Sequence, residues 1–323
     1  MRHAIFAGEG EIRLAQTADP AAGEGEAILQ VGACALCGSD LRPWKRGWPV
    51  TPGHEIVGVV EKKGHALHGR RALVYIPVWC GRCSACADGD AHLCENATDL
   101  MGWQRPGGYA ERLAVPLQCL IPVPDDIPTD LAPLLLDTIG TAAHGLRLAR
   151  RIAGPGPALV MGAGPIGLGA VMVLRQMGYA PVHVVEPGAH RRAISESLGA
   201  VAVDPAGLIQ RYAMVVECSG KDAARQLALE IVARHGVVLQ LGEADAWQVN
   251  ETKAIRRKDF VYLRSFYFPL HEFDENVALL RAAMADYRRF VDAVVPLEGL
   301  SDLFGEFAAG QRIKPILRFE GVA

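Results

Sequence analysis

The stretch Ala158-Leu159-Val160-Met161-Gly162-Ala163-Gly164-Pro165-Ile166-Gly167 decides the fold of this chain. Its first four residues indicate a short buried strand, and a G-x-G-x-x-G pattern follows that strand and opens a predicted helix. Glycines at this spacing allow a tight turn, and the N-terminus of the helix can face a pyrophosphate. The expected dinucleotide-binding residues are Gly162, Gly164, Pro165, Ile166 and Gly167.

The residues after this turn keep alternating between strands and helices. Strand-like runs at Val182–Glu186, Ala213–Glu217 and Gly236–Leu241 are separated by helical segments such as Arg191–Leu198. This alternation is typical of a parallel sheet covered by helices. The sequence therefore predicts an α/β fold, with a Rossmann doubly wound parallel sheet over residues 140–268.

An acidic residue, Glu186, ends the second of these strands, 19 residues after Gly167. A carboxylate at this position would bind the ribose hydroxyls and repel a 2′-phosphate, so it favours NAD over NADP. Arg191 and Arg192 follow closely, and a guanidinium there could accept a phosphate. The prediction is NAD, with Arg191 as a further cofactor-binding residue and NADP as the alternative.

About the first 130 residues read mainly as short strands, with alternation in Glu55–Glu61, and the tail ends in the strand-like Pro315–Phe319. We expect residues 1–139 and 269–323 to form a second, mainly β domain. Between the domains, Leu131–Arg151 predicts one helix. Its expected N-cap is Thr129 or Asp130.

Four of the eight cysteines lie within fifteen residues, at Cys80, Cys83, Cys86 and Cys94. Thiolates spaced C-x2-C-x2-C-x7-C in a turn can reach one tetrahedral zinc ion and close its coordination sphere. A closed site has no position for substrate, so we expect structural zinc. A nucleic-acid-binding zinc ribbon would have basic flanks, whereas Asp88, Asp90 and Glu95 make this loop partly acidic.

Two further segments carry metal-binding residue types. Cys37-Gly38-Ser39-Asp40 lies in a glycine-containing turn, and Gly53-His54-Glu55 precedes a predicted strand. A cysteine, a histidine and a carboxylate at strand ends can form an open zinc site with three protein ligands.

With these motifs in this order, the chain resembles the zinc-containing medium-chain alcohol and polyol dehydrogenases. The resemblance runs from Cys37-Gly38-Ser39-Asp40 to Ile313-Lys314-Pro315-Ile316-Leu317 and so covers nearly the whole length. It implies a GroES-like catalytic domain that holds both zinc sites, two zinc ions per chain, and a homodimer or homotetramer. The implied reaction is hydride transfer between NAD(H) and a secondary alcohol, polyol or cyclitol-like substrate.

The resemblance also implies roles for individual residues. Cys37, His54 and Asp137 would bind the catalytic zinc, and Glu55 would be a nearby carboxylate able to approach the metal. Asp40 would hold the ring of His54 in its metal-binding orientation.

Other roles concern the substrate and the cofactor. Ser39 would hydrogen-bond the substrate oxygen and pass its proton outward, and Thr141 would contact the nicotinamide. Lys314 would lie near the cofactor phosphates or be a solvated surface lysine.

Arg42 stands where several family members have the histidine that ends the proton relay. Arginine stays protonated, so the proton would leave through water, the cofactor ribose or another side chain. Arg42 itself could bind an anionic group or form a solvated salt bridge.

The loop Leu41–Pro52 also contains two tryptophans, Trp44 and Trp48, together with the basic residues Lys45 and Arg46. The tryptophans predict an apolar or sugar-stacking wall, or they only pack the loop down. The basic side chains indicate a polar or anionic substrate.

Bulk properties exclude some classes. A formal net charge of −3 gives no electrostatic case for nucleic acid or an anionic membrane, and the absence of a long apolar run at the start predicts a cytoplasmic protein.

The partner would be a small alcohol or carbonyl substrate. The alternatives are an NADPH-linked aldehyde or ketone reductase and a non-catalytic dinucleotide-binding zinc protein.

Overall fold

A computed structural model describes residues 1–97, 99–208, 211–243 and 246–321 of the chain. The chain divides into two compact units, one made of Met1–Leu136 with Ala283–Ala323 and the other of Asp137–Ala282. The domain boundaries expected from the sequence, at 139/140 and 268/269, stay a prediction.

Strands and helices are numbered along the described parts of the chain. The strands are β1 (Arg2–Gly8), β2 (Glu11–Gln16), β3 (Glu26–Ala35), β4 (Glu55–Glu61), β5 (Arg71–Val74), β6 (Arg112–Pro116), β7 (Leu120–Pro122), β8 (Ala158–Met161), β9 (Val182–Val185), β10 (Val201–Ala202), β11 (Tyr212–Glu217), β12 (Val232–Gln240), β13 (Val261–Arg264), β14 (Val294–Val295) and β15 (Ile316–Arg318). The α-helices are α1 (Leu41–Arg46), α2 (Ser84–Ala87), α3 (Ala142–Arg150), α4 (Pro165–Gln176), α5 (Ala189–Ser197), α6 (Asp222–Ile231), α7 (Lys253–Arg256), α8 (Phe273–Ala282), α9 (Met284–Arg288) and α10 (Leu300–Ala308).

The second unit is built on a parallel sheet with the strand order β10-β9-β8-β11-β12-β13. Counted within the unit, this order is 3-2-1-4-5-6, which is that of a doubly wound dinucleotide-binding fold. All four residues of β8 are buried, as expected where helices cover both faces of a parallel sheet. The predicted Rossmann sheet is therefore confirmed.

The glycine turn after β8 needs glycine for steric reasons. Gly162 has a φ of 96°, in the left-handed region. A Cβ on Gly167 would lie 1.8 Å from the carbonyl oxygen of Gly162. The start of α4 therefore packs against the turn so closely that a side chain at position 167 is excluded.

The first unit contains a mainly antiparallel sheet with the order β14-β15-β3-β4-β5-β7, and β6 also pairs with β3. Strand β3 lies in the middle, and its last five residues are all buried. The β1–β2 hairpin forms a separate two-stranded sheet. This architecture confirms the predicted mainly β, GroES-like partner of the Rossmann fold.

The single helix expected over Leu131–Arg151 is wrong. The chain instead forms a 3₁₀ turn at Ala132–Leu135, a π turn at Asp137–Thr141 and then α3. Leu136 has a ψ of −86°, outside the helical range, so the hydrogen-bond ladder is interrupted before Asp137.

Packing helps to explain this break and the missing N-cap. Gly169 of α4 comes so close to the π turn that a Cβ on it would lie 2.0 Å from the carbonyl oxygen of Thr138. Thr129 accepts a hydrogen bond from Arg71, and Asp130 pairs with Arg288. Neither expected cap therefore serves the helix, because each side chain has another partner.

Among the described residues, no helix is both long and apolar enough to cross a membrane.

Candidate functional site

The pairing of three strands brings the candidate metal ligands of the first unit to one end of its sheet. Ala35, at the end of β3, pairs with Glu55 at the start of β4 and with Ile316 at the start of β15. Cys37 follows β3 by two residues, and His54 directly precedes β4. Antiparallel pairing therefore places both segments side by side although they are far apart in sequence.

The structure gathers four side chains into a cluster of possible metal ligands: Cys37, His54, Glu55 and Asp137. One donor atom from each lies within 4.8 Å of every other. Cys37, His54 and Glu55 are buried, and Asp137 opens the π turn. We call this set the mixed cluster. Thiol, imidazole and carboxylate donors together suit zinc.

Asp40 contacts two residues of the mixed cluster, His54 and Cys37. It is fully buried, and one of its oxygens lies 3.2 Å from Nδ1 of His54. The other oxygen accepts hydrogen bonds from the phenol of Tyr109, at 2.6 Å, and from the backbone N–H of Cys37, at 3.0 Å. A carboxylate on Nδ1 fixes the ring so that Nε2 is directed to a metal.

Tyr109 was not singled out from the sequence. The side chain is fully buried, and burial raises the pKa of its phenol well above the ordinary value, so the hydroxyl is a donor at neutral pH. Its ring also stacks on Phe6. No local motif indicates that this tyrosine reaches Asp40, because 69 residues separate the two.

Lys314 corrects an expectation from the sequence. It is a fully buried residue rather than a solvated surface lysine. Its ammonium donates hydrogen bonds to a carboxylate oxygen of Glu55 and to the carbonyl oxygen of Leu36. The side chain is thus engaged with a member of the mixed cluster, and its expected position near the cofactor phosphates stays a prediction.

The residues around Ser39 form a short continuous helical segment. Ser39 lies in the 3₁₀ turn Gly38–Asp40, which runs directly into α1. The guanidinium carbon of Arg42 lies over the ring of Trp103, 5.6 Å from its centroid. The same indole lies 5.5 Å from the ring of His54. Trp103 therefore contacts both His54 of the mixed cluster and Arg42.

The two tryptophans of the short loop have different surroundings. Trp48 packs edge-on against Trp103, and its indole N–H donates to the carbonyl oxygen of Trp103 at 2.7 Å. Trp44 instead stacks on Phe304 and packs the loop against α10. Of the two, only Trp48 contributes to the aromatic wall near His54. It does so by packing against Trp103, which contacts His54 and which the sequence did not indicate.

The four-cysteine loop is compact around its sulfur atoms. The Sγ atoms of Cys83 and Cys86 are 3.4 Å apart, and those of Cys83 and Cys94 are 3.8 Å apart. Tetrahedral zinc with Zn–S bonds of about 2.3 Å requires about 3.8 Å between sulfur atoms. The backbone N–H of Arg82, together with Asn96, lowers the pKa of the Cys80 thiol to about 6, which favours the thiolate that a metal needs.

In the second unit, residues predicted to bind the cofactor lie around Glu186. This residue follows β9, and its two carboxylate oxygens accept the backbone N–H groups of Ala163, at 2.7 Å, and Gly188, at 2.8 Å. The guanidinium of Arg192 donates to the carbonyl oxygens of Glu186 and Pro187. The carboxylate thus connects the glycine turn to the end of β9 by a hydrogen bond.

Two other candidate residues occupy the second unit. Thr141 ends the π turn, and its hydroxyl donates to the carboxylate of Asp137 at 3.2 Å. Arg191 lies half-buried on α5. The roles expected for them towards the cofactor stay predictions.

Comparison with known proteins gives two matches that together cover most of the chain. Residues 23–125 match the alcohol dehydrogenase GroES-like domain. Residues 140–316 match the glucose dehydrogenase C-terminus. The first match falls on the mainly β unit, and the second covers most of the parallel α/β unit and continues into the C-terminal part of the first unit.

Individual proteins extend the match over most of the length. A 2-dehydro-3-deoxy-L-galactonate 5-dehydrogenase of Pseudoalteromonas atlantica is 28% identical over 301 residues, which is 87% of each chain. An L-threonine 3-dehydrogenase of Chromobacterium violaceum is 31% identical over 69% of this chain and 71% of its own. Among solved structures, the alcohol dehydrogenase TADH from Thermus sp. ATN1 has a TM-score of 0.89 and 25% identity, covering 99% of this chain and 100% of its own.

Proposed function

The chain belongs to the zinc-containing medium-chain alcohol and polyol dehydrogenase family and is an oxidoreductase, and we propose that it oxidises a secondary alcohol of a polyol-type substrate with NAD. The observation that carries this proposal is the mixed cluster, in which a thiol, an imidazole and carboxylates lie within 4.8 Å of one another. The names of the relatives, a sugar-acid dehydrogenase and a threonine dehydrogenase, support a small alcohol as substrate.

The two ligand clusters suit different zinc ions, so we propose two zinc ions per chain. Cys80, Cys83, Cys86 and Cys94 would hold a structural ion, because four thiolates leave no position for a further ligand. Cys37, His54 and Asp137 would hold the catalytic ion and leave one position open, with Glu55 close by. When bound, the catalytic zinc supplies Lewis acidity that lowers the pKa of the substrate hydroxyl, and the nicotinamide supplies the hydride acceptor.

The chain's own residues position these groups and move the proton. Asp40 keeps the His54 ring in place, and Lys314 offsets the negative charge of Glu55. Ser39 would hydrogen-bond the substrate hydroxyl, take up its proton and release its own proton outward, because Arg42 cannot act as a base.

The cofactor preference follows from Glu186. Its carboxylate lies at the end of β9 beside the glycine turn, where the ribose of a dinucleotide would place its hydroxyls and where a 2′-phosphate would be repelled. Arg192, bonded to the same stretch of backbone, and its neighbour Arg191 support NADP as the second candidate. A homodimer or homotetramer is the assembly we propose.

A cofactor and substrate screen tests this function. Purified protein with its metal content measured would be assayed for NAD and NADP reduction with a panel of polyols, cyclitols and secondary alcohols. We expect two zinc ions per chain and turnover that is faster with NAD. A much higher kcat/KM with NADP, lowered in Arg191→Ala, would reverse the cofactor preference. One zinc ion per chain, retained in Cys37→Ala, would overturn the catalytic site.

A further inference from the structure

We propose that Arg42, supported on Trp103, forms an anion subsite for the substrate, so that the preferred substrate is a polyol bearing a carboxylate or phosphate group. This inference rests on the proposed dehydrogenase function and names the class of its substrate. It concerns only residues of the first unit, around the segment that joins the 3₁₀ turn at Ser39 to α1.

The position of Arg42 relative to the mixed cluster is the first observation. The ring of Trp103 lies 5.5 Å from that of His54, and the guanidinium carbon of Arg42 lies 5.6 Å from the same indole. One aromatic side chain therefore contacts both a candidate metal ligand and the arginine. A substrate molecule that reaches the cluster along this indole would meet the guanidinium.

The helical segment gives an independent reason to place Arg42 near the reacting oxygen. Ser39 and Arg42 are three residues apart on a continuous stretch of helical turns. Side chains with this spacing lie on the same face, roughly 5–6 Å apart at Cβ. If Ser39 contacts the reacting hydroxyl, Arg42 would contact a group several bonds further along the substrate.

Trp103 has a fixed position, which a recognition surface needs. Trp48 donates to its backbone carbonyl at 2.7 Å and packs edge-on against its ring at 5.6 Å. The backbone N–H of Trp103 donates to the carbonyl of Leu100 at 3.1 Å. The indole is half-buried, so part of it stays available to the carbon chain of a polyol.

Charge chemistry identifies the kind of group that would bind. Arg42 places a fixed positive charge over the indole of Trp103, and helix α1 contains no acidic residue. A guanidinium over an aromatic ring presents its N–H groups at its edge, which matches the paired oxygens of a carboxylate or phosphate. Because arginine stays charged at all working pH values, Arg42 at this position can bind an anion but cannot take up the substrate proton.

The test compares three compounds with the same carbon skeleton: galactitol, galactonate and galactitol 1-phosphate. Each is measured as a substrate or as a competitive inhibitor of the alcohol identified in the screen, with wild type, Arg42→Gln and Arg42→Lys. Lys45→Gln removes one positive charge from the exposed part of the same helix and serves as the matched control.

We expect wild type to bind galactonate or galactitol 1-phosphate more tightly than galactitol. The anionic compound that binds more tightly shows whether the subsite prefers a carboxylate or a phosphate. Losing a charge-assisted pair should weaken anion binding in Arg42→Gln by about 10- to 100-fold. Galactitol binding should not change, Arg42→Lys should recover part of the loss, and Lys45→Gln should resemble wild type.

Other outcomes overturn the inference. Equal binding of all three compounds to wild type would remove the anion subsite while leaving the dehydrogenase function intact. A rise in KM for NAD in Arg42→Gln, with all three compounds affected alike, would assign Arg42 to the cofactor. Absence of turnover with every alcohol in the screen would instead overturn the proposed function, and the subsite with it.

Discussion

The four-cysteine loop and the mixed cluster are both sets of candidate zinc ligands, yet the chain builds them in opposite ways. The first takes all its donors from one loop between Cys80 and Cys94, which also contains the short helix α2. The second takes donors from Cys37, from the start of β4 and from the π turn at Asp137. One set is local in sequence, and the other exists only because distant segments pack together.

This difference matches a difference in chemistry. A loop of four thiolates can close around an ion by itself, and in doing so it excludes any substrate. The mixed cluster is supported instead by groups outside the ligand set, with Asp40 on His54 and Lys314 on Glu55. Such supporting groups set the orientation and charge of ligands around a reactive metal.

Removing a ligand of the mixed cluster should give the largest functional effect. In Cys37→Ala we expect one zinc ion per chain and a loss of turnover of at least about 10³-fold, because the Lewis acid contributes several kcal/mol. Metal analysis and steady-state kinetics would measure both. NADH binding should be kept, since the glycine turn is unchanged, and full activity with one zinc ion would refute the separation of the two clusters.

The matching change in the cysteine loop should remove metal without removing the chemistry. Cys83→Ser should also reduce the zinc content to one ion per chain, and limited proteolysis should then cut between positions 80 and 94. The kcat per folded chain should stay close to wild type, because this site has no place for substrate. A loss of turnover as large as in Cys37→Ala would show that the two clusters are not independent.

Breaking the buried ion pair between Lys314 and Glu55 should strongly lower the free energy of unfolding. Lys314→Met leaves Glu55 as a buried carboxylate without its cation, and removal of one partner of such a pair costs about 3–5 kcal/mol. Denaturant unfolding of the metal-free protein would measure this. The exposed Lys45→Met should change the free energy of unfolding by less than about 0.5 kcal/mol, and Glu55→Gln combined with Lys314→Met should recover part of the loss.

The smallest expected effect is at Tyr109. Tyr109→Phe removes the 2.6 Å hydrogen bond to Asp40 and keeps the buried ring. Loss of an outer partner of a metal-binding histidine typically weakens metal affinity by about 10- to 100-fold, and we expect the lower end because Asp40 itself remains. Zinc transfer to a chelator should become faster for one ion of the two, and equal acceleration of both would contradict a specific role.

The sequence by itself determined the parts whose chemistry is local. The glycine turn after β8, the acidic residue after β9 and the four-cysteine loop each depend on residues close together along the chain. Their spacing imposes the backbone geometry directly, as the 1.8 Å approach at Gly167 illustrates. The doubly wound parallel sheet also followed, because alternating strands and helices allow few topologies.

Only the tertiary structure decided how the mixed cluster is supported. Tyr109 and Lys314 reach Asp40 and Glu55 across 69 and 259 residues of chain, and Trp103 reaches His54 from a separate turn. The break before Asp137 was also not predicted: one helix was expected, and the chain instead forms a 3₁₀ turn, a π turn packed closely against α4, and α3. Contacts of this kind depend on strand register and close packing, which no local pattern of residues specifies.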